Sequence, residues 1–505
     1  HFCDATKAHN YFVYEDDLPL LFDEFNKIKS GEITEHSLHY RWLDRQHNPV
    51  WVNCRGDVIL DEFNKPLYLI GCVNEIGKRQ KADNISGLLR EPSLEEYVSS
   101  KSNNITGYFM QIGIDDFDEI NGRFGLKCGD EILKQFSMCM QSCINENQKI
   151  YELGNGRFII MDLANHSKED ILELYDELKK SVEVALEENV YRVVYTISVG
   201  IVEIDKEMKD YDTLIKYSDF ALNEAKKKGK NSCYFFTQDK YKQFIRRREI
   251  RVELQNAVDH NFKNFDVYYQ PIIDIHTRNL IGAEALMRFK MKRNEQIEFI
   301  SPAEFIPILE ESGLIIPAGR WILRQAVACC KKWQEFIPEF KVNVNLSYVQ
   351  IIRSKILDEI KQALKDFNLK PALLGIEVTE SGYLENTYHY KKLWSSLKEE
   401  GITLILDDYG TGYSNAYRLS DLTPHYIKID RVLTQKALSS NYERSILIYI
   451  IEMAHSLKLN VCIEGVETEE ELQEIKKLNP DYIQGYLFGK PAPEDEFYNR
   501  QIKKK

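Results

Sequence analysis

The stretch Thr403-Leu404-Ile405-Leu406-Asp407-Asp408-Tyr409-Gly410-Thr411-Gly412-Tyr413-Ser414 sets two adjacent carboxylates directly behind a short apolar run and follows them with two closely spaced glycines. Such a run reads as a buried strand that ends at the acids and opens into a loop. Two neighbouring side chains can diverge there onto one target. The same form recurs at Val267–Ile273, Leu280–Met287, Lys341–Leu346, Leu374–Val378, Tyr426–Ile429, Leu459–Ile463 and Tyr482–Leu487, with amphipathic helical stretches between most of them. This is the pattern of an α/β chain closing into a (β/α)8-type, TIM-like barrel, whose C-terminal face carries the chemistry. At or near the ends of these runs stand Glu284, Asn345, Glu377, Asp407, Asp408 and Glu464. Oxygen ligands converging at one barrel mouth read as a metal site. An oxygen-only set selects Mg2+ or Mn2+ over zinc, which favours His and Cys.

At 505 residues the chain is long enough for roughly two to four domains. A net charge of −13, from 66 basic and 79 acidic residues, argues against a nucleic-acid polymer as partner, because such surfaces carry a basic excess. Ten cysteines without a CxxC pair point to free thiols in a reduced, cytoplasmic compartment. No apolar run approaches the ~18 residues of a membrane span. The chain opens at His1 on what reads as mid-domain sequence, so further residues upstream are expected, with membrane tethering through them left open.

Residues 36–77 give three strand-like pieces, His36–Asp44, Pro49–Leu60 and Pro66–Ile76, after a helix-like Leu18–Lys29. The segment resembles the closing strands of a PAS sensor domain, which makes residues 1–80 a partial PAS-like α+β domain. From Asp83 strands and helices alternate through Thr106–Ile114, Gly129–Cys143, Lys149–Leu153, Arg157–Leu163, Lys168–Glu187, Tyr195–Ile204 and Tyr211–Lys228, with a hairpin at Leu153–Gly156. Over residues 83–237 this order resembles a GGDEF domain, the diguanylate cyclase family. Asp83-Asn84-Ile85-Ser86-Gly87-Leu88 stands where that family opens, and Asn121 and Asp130 stand where it recognises guanine. The family's signature turn reads here as Gly154-Asn155-Gly156-Arg157-Phe158, and Gly113 occupies the place of its first metal-binding aspartate. Magnesium needs carboxylates there, so cyclase activity is not expected; GTP as a regulator remains open. A charged helical stretch, Tyr241–Phe262, reads as a connector with a solvated face.

From residue 246 to 505 the chain resembles an EAL domain, the family of cyclic-di-GMP phosphodiesterases. Tyr269-Gln270-Pro271, Glu284-Ala285-Leu286-Met287-Arg288, Asn343-Val344-Asn345-Leu346-Ser347, Glu377-Val378-Thr379-Glu380-Ser381, Asp407-Asp408-Tyr409-Gly410, Lys428-Ile429-Asp430, Glu464-Gly465-Val466-Glu467 and Gln484-Gly485-Tyr486 follow in order. The resemblance implies cyclic di-GMP as substrate and pGpG as product. It implies two ions, one held by Glu284, Asn345, Glu377 and Asp407, the other by Asp407, Asp408 and Glu464. By the same resemblance Lys428 assists the attacking water, Glu380 and Glu467 act behind the ligands, and Gln270, Leu286, Arg288 and Gln484 contact substrate. Glu380 would anchor the Asp408–Ser414 loop and couple it to a homodimer contact. Phe289, Tyr409 and Ile463 depart from the family pattern without removing a ligand. A non-catalytic cyclic-di-GMP receptor is the alternative, and the complete ligand set argues against it.

Overall fold

The computed structural model describes residues 11–43, 49–61, 65–75, 83, 85–100, 106–163, 166–187, 193–204, 210–293, 295–379, 387–410 and 423–503. The chain divides into two compact units, His1–Lys242 and Gln243–Lys505.

In the first unit Glu35–Leu43, Pro49–Leu60 and Pro66–Glu75 form an antiparallel three-stranded sheet. The helix Leu18–Ser30 lays Leu21, Phe25 and Ile28 into a core with Tyr40 and Val52, and stops at Gly31, whose φ of 73° terminates a helix at little steric cost. A second sheet runs in the order Leu89–Arg90, Gln148–Gly154, Arg157–Asp162, Gly107–Ile114, Ile197–Ile204, Cys233–Phe235. Every residue of Gly107–Ile114 is buried, because that strand lies mid-sheet with helices on both faces. Tyr108, Met110, Ile112 and Ile114 enter one core and Phe109 the other, the period of two that a strand imposes. The expected hairpin closes through Gly154, Asn155 and Gly156, all at positive φ (85°, 52° and 68°).

The second unit is an eight-stranded barrel of β1 Phe265–Asp274, β2 Leu280–Arg293, β3 Lys341–Asn345, β4 Leu374–Thr379, β5 Thr403–Tyr409, β6 Tyr426–Ile429, β7 Asn460–Glu464 and β8 Tyr482–Gln484. Pairing is parallel from β2 round to β8, and β1 closes the ring antiparallel to both β2 and β8. This modifies the expected (β/α)8 pattern: the link from β1 to β2 is a tight turn in which Asp274 accepts from the amides of His276 (3.0 Å) and Thr277 (2.8 Å), too short for a helix. Strand β2 also outruns the barrel, pairing with β3 only from Gly282 to Ala285 and then with Gln296–Ile300. Glu284 thus lies inside the strand in sequence yet one residue from the end of its pairing with β3.

The helix Gln238–Asp259 does more than connect. Within the barrel unit its Ile250, Leu254 and Ala257, spaced i, i+4, i+7, are buried in the main core, while Arg246 pairs with Glu298 (2.8 Å) and Glu304. Three apolar positions among many charges left little amphipathic signal in the composition. Leu254→Ala is expected to lower the stability of the barrel unit by about 2–4 kcal/mol, read as an earlier barrel transition in urea unfolding.

Candidate metal-binding active site at the barrel mouth

Side chains two apart on a strand share a face, so the barrel interior is stacked in layers. Ile272, Ile405, Tyr426 and Cys462 form one apolar layer. Two residues further toward the mouth on the same strands stand Gln270, Asp407, Lys428 and Glu464. Glu284, Glu377 and Gln484 complete that upper layer from β2, β4 and β8.

Lys428 is its centre. The ammonium is 1% exposed and lies 2.9 Å from Glu284 Oε2, 3.0 Å from Glu377 Oε2, 3.4 Å from Asp407 Oδ1 and 2.6 Å from Glu464 Oε1. Glu284, Glu377 and Asp407 can each turn an oxygen to within 4.8 Å of the others'. Asn345 Nδ2 donates to Glu284 Oε1 at 2.7 Å, and Gln484 Nε2 donates to Glu284 Oε2 at 2.7 Å and Gln270 Oε1 at 3.0 Å. Asp407 and Asp408 sit in a β-bulge: Leu406 faces Ile427 and Tyr409 faces Ile429, so three steps on β5 answer two on β6. Asp408 takes the extra length at φ 57°, a left-handed conformation that Asp tolerates, and its amide donates to Asp407 Oδ1 at 2.9 Å.

Four carboxylates around one ammonium would, fully ionised, leave an excess of three negative charges in a buried pocket. Burial, then the neighbouring acids, push Glu377 well above the usual carboxylate range, and burial raises Asp407. Glu464 rises to about 8 and Asp408 to about 6, burial leading in both. Glu284 alone is held low, because Lys428, Gln484 and Asn345 outweigh its burial. Burial opposes the charge on Lys428, but the four acids together hold it far above its ordinary value. Among the described residues Gln484 Oε1 is buried without a hydrogen-bond partner, its amide nitrogen being committed to Gln270 and Glu284. An uncompensated all-oxygen cluster with an unengaged carbonyl oxygen fits hard divalent cations.

The other anticipated residues fall at different distances from this centre. Leu286 and Arg288 continue the Glu284 face of β2, register partners of Tyr268 and Asp266, and the Arg288 guanidinium lies 5.5 Å from the Tyr268 ring centre. Glu467 pairs with Arg431 at 2.8 Å. Glu380, and the Asp408–Ser414 loop beyond Gly410, lie outside the described residues. In the first unit Asn121 Oδ1 is buried without a partner among the described residues, beside Gly129, where a Cβ would stand 1.9 Å from it; Asp130 is exposed.

Asn343 and Tyr426 were not among the anticipated residues. Asn343 Nδ2 donates to Glu377 Oε1 at 2.8 Å and to the Tyr426 hydroxyl, so Glu377 is gripped from below as well as by Lys428. The signal was present as Asn343-Val344-Asn345, two amides on one face of β3. Gly375 makes room for the first, since a Cβ there would meet Asn343 Oδ1 at 2.3 Å.

The raised acids fix how stability depends on pH. Between the ordinary carboxylate value and about 8 the folded barrel binds protons at Glu464 that the unfolded chain has released, so stability falls as pH rises. In chelator the barrel's melting temperature is expected to drop by several degrees from pH 5.5 to pH 8, and millimolar Mg2+ to remove most of that drop.

The EAL domain family matches residues 251–491, the diguanylate cyclase, GGDEF domain family residues 81–232, and the PAS fold family residues 2–73. The signaling protein YkoW of Bacillus subtilis (strain 168) is 31% identical over 399 residues, 78% of this chain and 48% of its own. The cyclic di-GMP phosphodiesterase PdeR of Escherichia coli (strain K12) is 27% identical over 465 residues, 90% of this chain and 68% of its own. The chain spans about half the length of several curated relatives that it matches. A solved structure of the PaMucR phosphodiesterase in complex with c-di-GMP is 29% identical, covering 49% of this chain and 99% of that one with a TM-score of 0.46. No helix among the described residues is long and apolar enough to cross a membrane. The chain carries a PAS fold, a GGDEF domain and an EAL domain in that order, and its barrel belongs to the EAL family.

Proposed function

We propose that the barrel hydrolyses cyclic di-GMP to linear pGpG with two ions, Mg2+ or Mn2+. The observation that carries this reading is the buried ring of Glu284, Glu377, Asp407 and Glu464 around Lys428, set at the mouth with a net excess of negative charge. Two relatives, PdeR and NbdA, are named cyclic di-GMP phosphodiesterases. When bound, the ions supply a hydroxide at neutral pH and offset the charge that builds on phosphorus. Glu284, Asn345, Glu377 and Asp407 would hold one, and Asp407, Asp408 and Glu464 the other. Lys428, ion-paired with four acids through three N–H donors, would keep the carboxylates in position and turn one donor to the attacking water once the ions offset the acids' charge. Gln270 and Gln484, joined by a hydrogen bond, and Leu286 would meet the base or ribose, while Arg288 meets phosphate.

The middle domain is read as a regulator without cyclase activity. One relative, MucR of Pseudomonas aeruginosa, is named a bifunctional cyclase and phosphodiesterase, so the reading rests on the local charges. Gly113 and Arg157 are register partners, and a Cβ on Gly113 would stand 3.1 Å from Lys226 Nζ. Lys226 and Arg157, the latter paired with Asp219 at 3.4 Å, therefore put cations where a carboxylate would need to hold magnesium. The unpartnered Asn121 Oδ1 remains suited to a guanine N–H, which favours GTP binding without turnover. The proposed division is 1–80, 83–237 and 246–505, working as a homodimer in which Glu380 restrains the Asp408–Ser414 loop.

Glu284→Ala or Asp407→Ala is expected to lower cyclic-di-GMP turnover more than about 100-fold while the chelated barrel stays folded; near-wild-type rate in either removes that ligand from the scheme. Wild-type protein should turn over with Mg2+ or Mn2+, stop in chelator and be inhibited by Ca2+; tight cyclic-di-GMP binding with no hydrolysis under any of these ions identifies a receptor instead. With the barrel silenced by Asp407→Ala, GTP should yield no cyclic di-GMP, and in wild type millimolar GTP should change the phosphodiesterase rate. Sedimentation should show the active species as a dimer favoured by ligand and metal; full activity from a monomer excludes control through a dimer contact.

A further inference from the structure

The closed end of the barrel holds a second cavity, of about 150 Å3, that neither the acidic ring nor the substrate reading uses. Lys341, Thr403, Tyr426, Asn460 and Tyr482 line it, each the first residue of its strand, so the cavity lies at the N-terminal face, below the apolar layer. Its body is apolar and partly aromatic: Ile272 and Ile281 stand beside Tyr426 and Tyr482, whose rings meet edge to face at 5.8 Å. A space of this size accepts a six-membered ring.

Its polar rim offers donors from Lys341, His425 and Asn460, while Asn343, also in the lining, commits its amide nitrogen to Glu377 and the Tyr426 hydroxyl. The Leu404 amide donates to His425 Nδ1 at 2.9 Å, which puts the ring proton on Nε2 and leaves that nitrogen a donor. Asn460 Nδ2 reaches only the Tyr482 hydroxyl, at a long 3.4 Å. Lys341 is exposed and no acid lines the cavity. Burial lowers the His425 pKa, and Lys398 and Lys341 lower it further, the mark of a locally positive field. Asp274 and Asp481, whose charges reach Tyr482, have partners of their own: Asp274 caps the β1–β2 turn, and Asp481 takes the Val461 amide at 2.7 Å and His455 at 3.0 Å. Flat apolar walls under a rim that carries the Lys341 ammonium and donors from His425 and Asn460 suit an aromatic ring bearing an anionic group.

We infer that the closed end of the barrel is a binding site for a small aromatic carboxylate, its ring beside Tyr426 and Tyr482 and its carboxylate against Lys341, His425 and Asn460. The site shares a wall with the acidic ring, because the Tyr426 hydroxyl accepts from Asn343 and Asn343 also holds Glu377.

Calorimetry of the full chain in chelator, with benzoate as probe, tests it without reference to hydrolysis. Benzoate is expected to bind with a Kd of about 1 mM, reasonable for a ligand of this size, and benzamide, of the same shape without charge, about tenfold more weakly. Lys341→Glu reverses an exposed rim charge, and Asn460→Asp swaps a donor for an acid of equal size; with an unchanged circular dichroism spectrum each should weaken benzoate about tenfold or more. Equal affinity for benzamide, unchanged benzoate affinity in both variants, or no benzoate binding at tens of millimolar would each overturn the assignment.

Discussion

The ammonium of Lys428 and the acids around it are the constraint on which the barrel unit turns. Five strands, β2, β4, β5, β6 and β7, deliver the five groups, so the contact exists only when the barrel is closed and in register. A slip of one residue on any of these strands would turn its charged group out of the interior and leave the others uncompensated. Removing Lys428 would leave four buried acids without their counter-ion, at a cost of about 3–5 kcal/mol, whereas removing one acid relieves like-charge crowding. Replacing the whole cluster by apolar side chains would often cost nothing, so stability alone does not account for it. The neighbouring layer shows the same division of labour: Ile272, Ile405, Tyr426 and Cys462 fill the barrel beneath it with side chains that need no counter-ion, except where the Tyr426 hydroxyl finds Asn343.

The parts of this design that could be read from sequence are those that repeat with a short period. Asp407 and Glu464 announce themselves as acids behind apolar runs, and the period of two on β3 marks Asn343 and Asn345 together, although only the second was recognised as a ligand. Glu284 was recognisable by its neighbours, but not its position in the middle of a 14-residue strand, because the hairpin with Gln296–Ile300 is stabilised by cross-strand pairs that no local pattern reports. The antiparallel entry of β1 was hidden for a related reason: a buried strand reads alike in either direction, and only the tight turn at Asp274 tells them apart. The helix Gln238–Asp259 was taken for a connector because its charges outnumber Ile250, Leu254 and Ala257, whose burial depends on a barrel wall far away in sequence. Glu467 illustrates the opposite limit. Its place in Glu464-Gly465-Val466-Glu467 suggested a part in the site, yet Gly465, at φ 78°, turns the chain so that Glu467 meets Arg431.

The two catalytic-type domains in this chain differ by the sign of the charge left over. At the barrel mouth, four acids surround one lysine, and burial raises both Glu377 and Glu464 above the usual carboxylate range. A divalent ion bound there would favour the ionised carboxylates, so metal affinity would rise with pH. In the middle domain the corresponding strand position is Gly113, its sheet partner is Arg157 and its nearest side-chain neighbour is the ammonium of Lys226. Arg157 is paired there with Asp219 at 3.4 Å, and the Lys226 ammonium adds a further positive charge. The glycine-rich turn at Gly154–Gly156 keeps its left-handed backbone although the acids that would give it chemistry are absent. Fold and turn geometry thus survive independently of the charges, and it is the charges, summed over a few ångströms, that separate a metal site from a scaffold of the same shape.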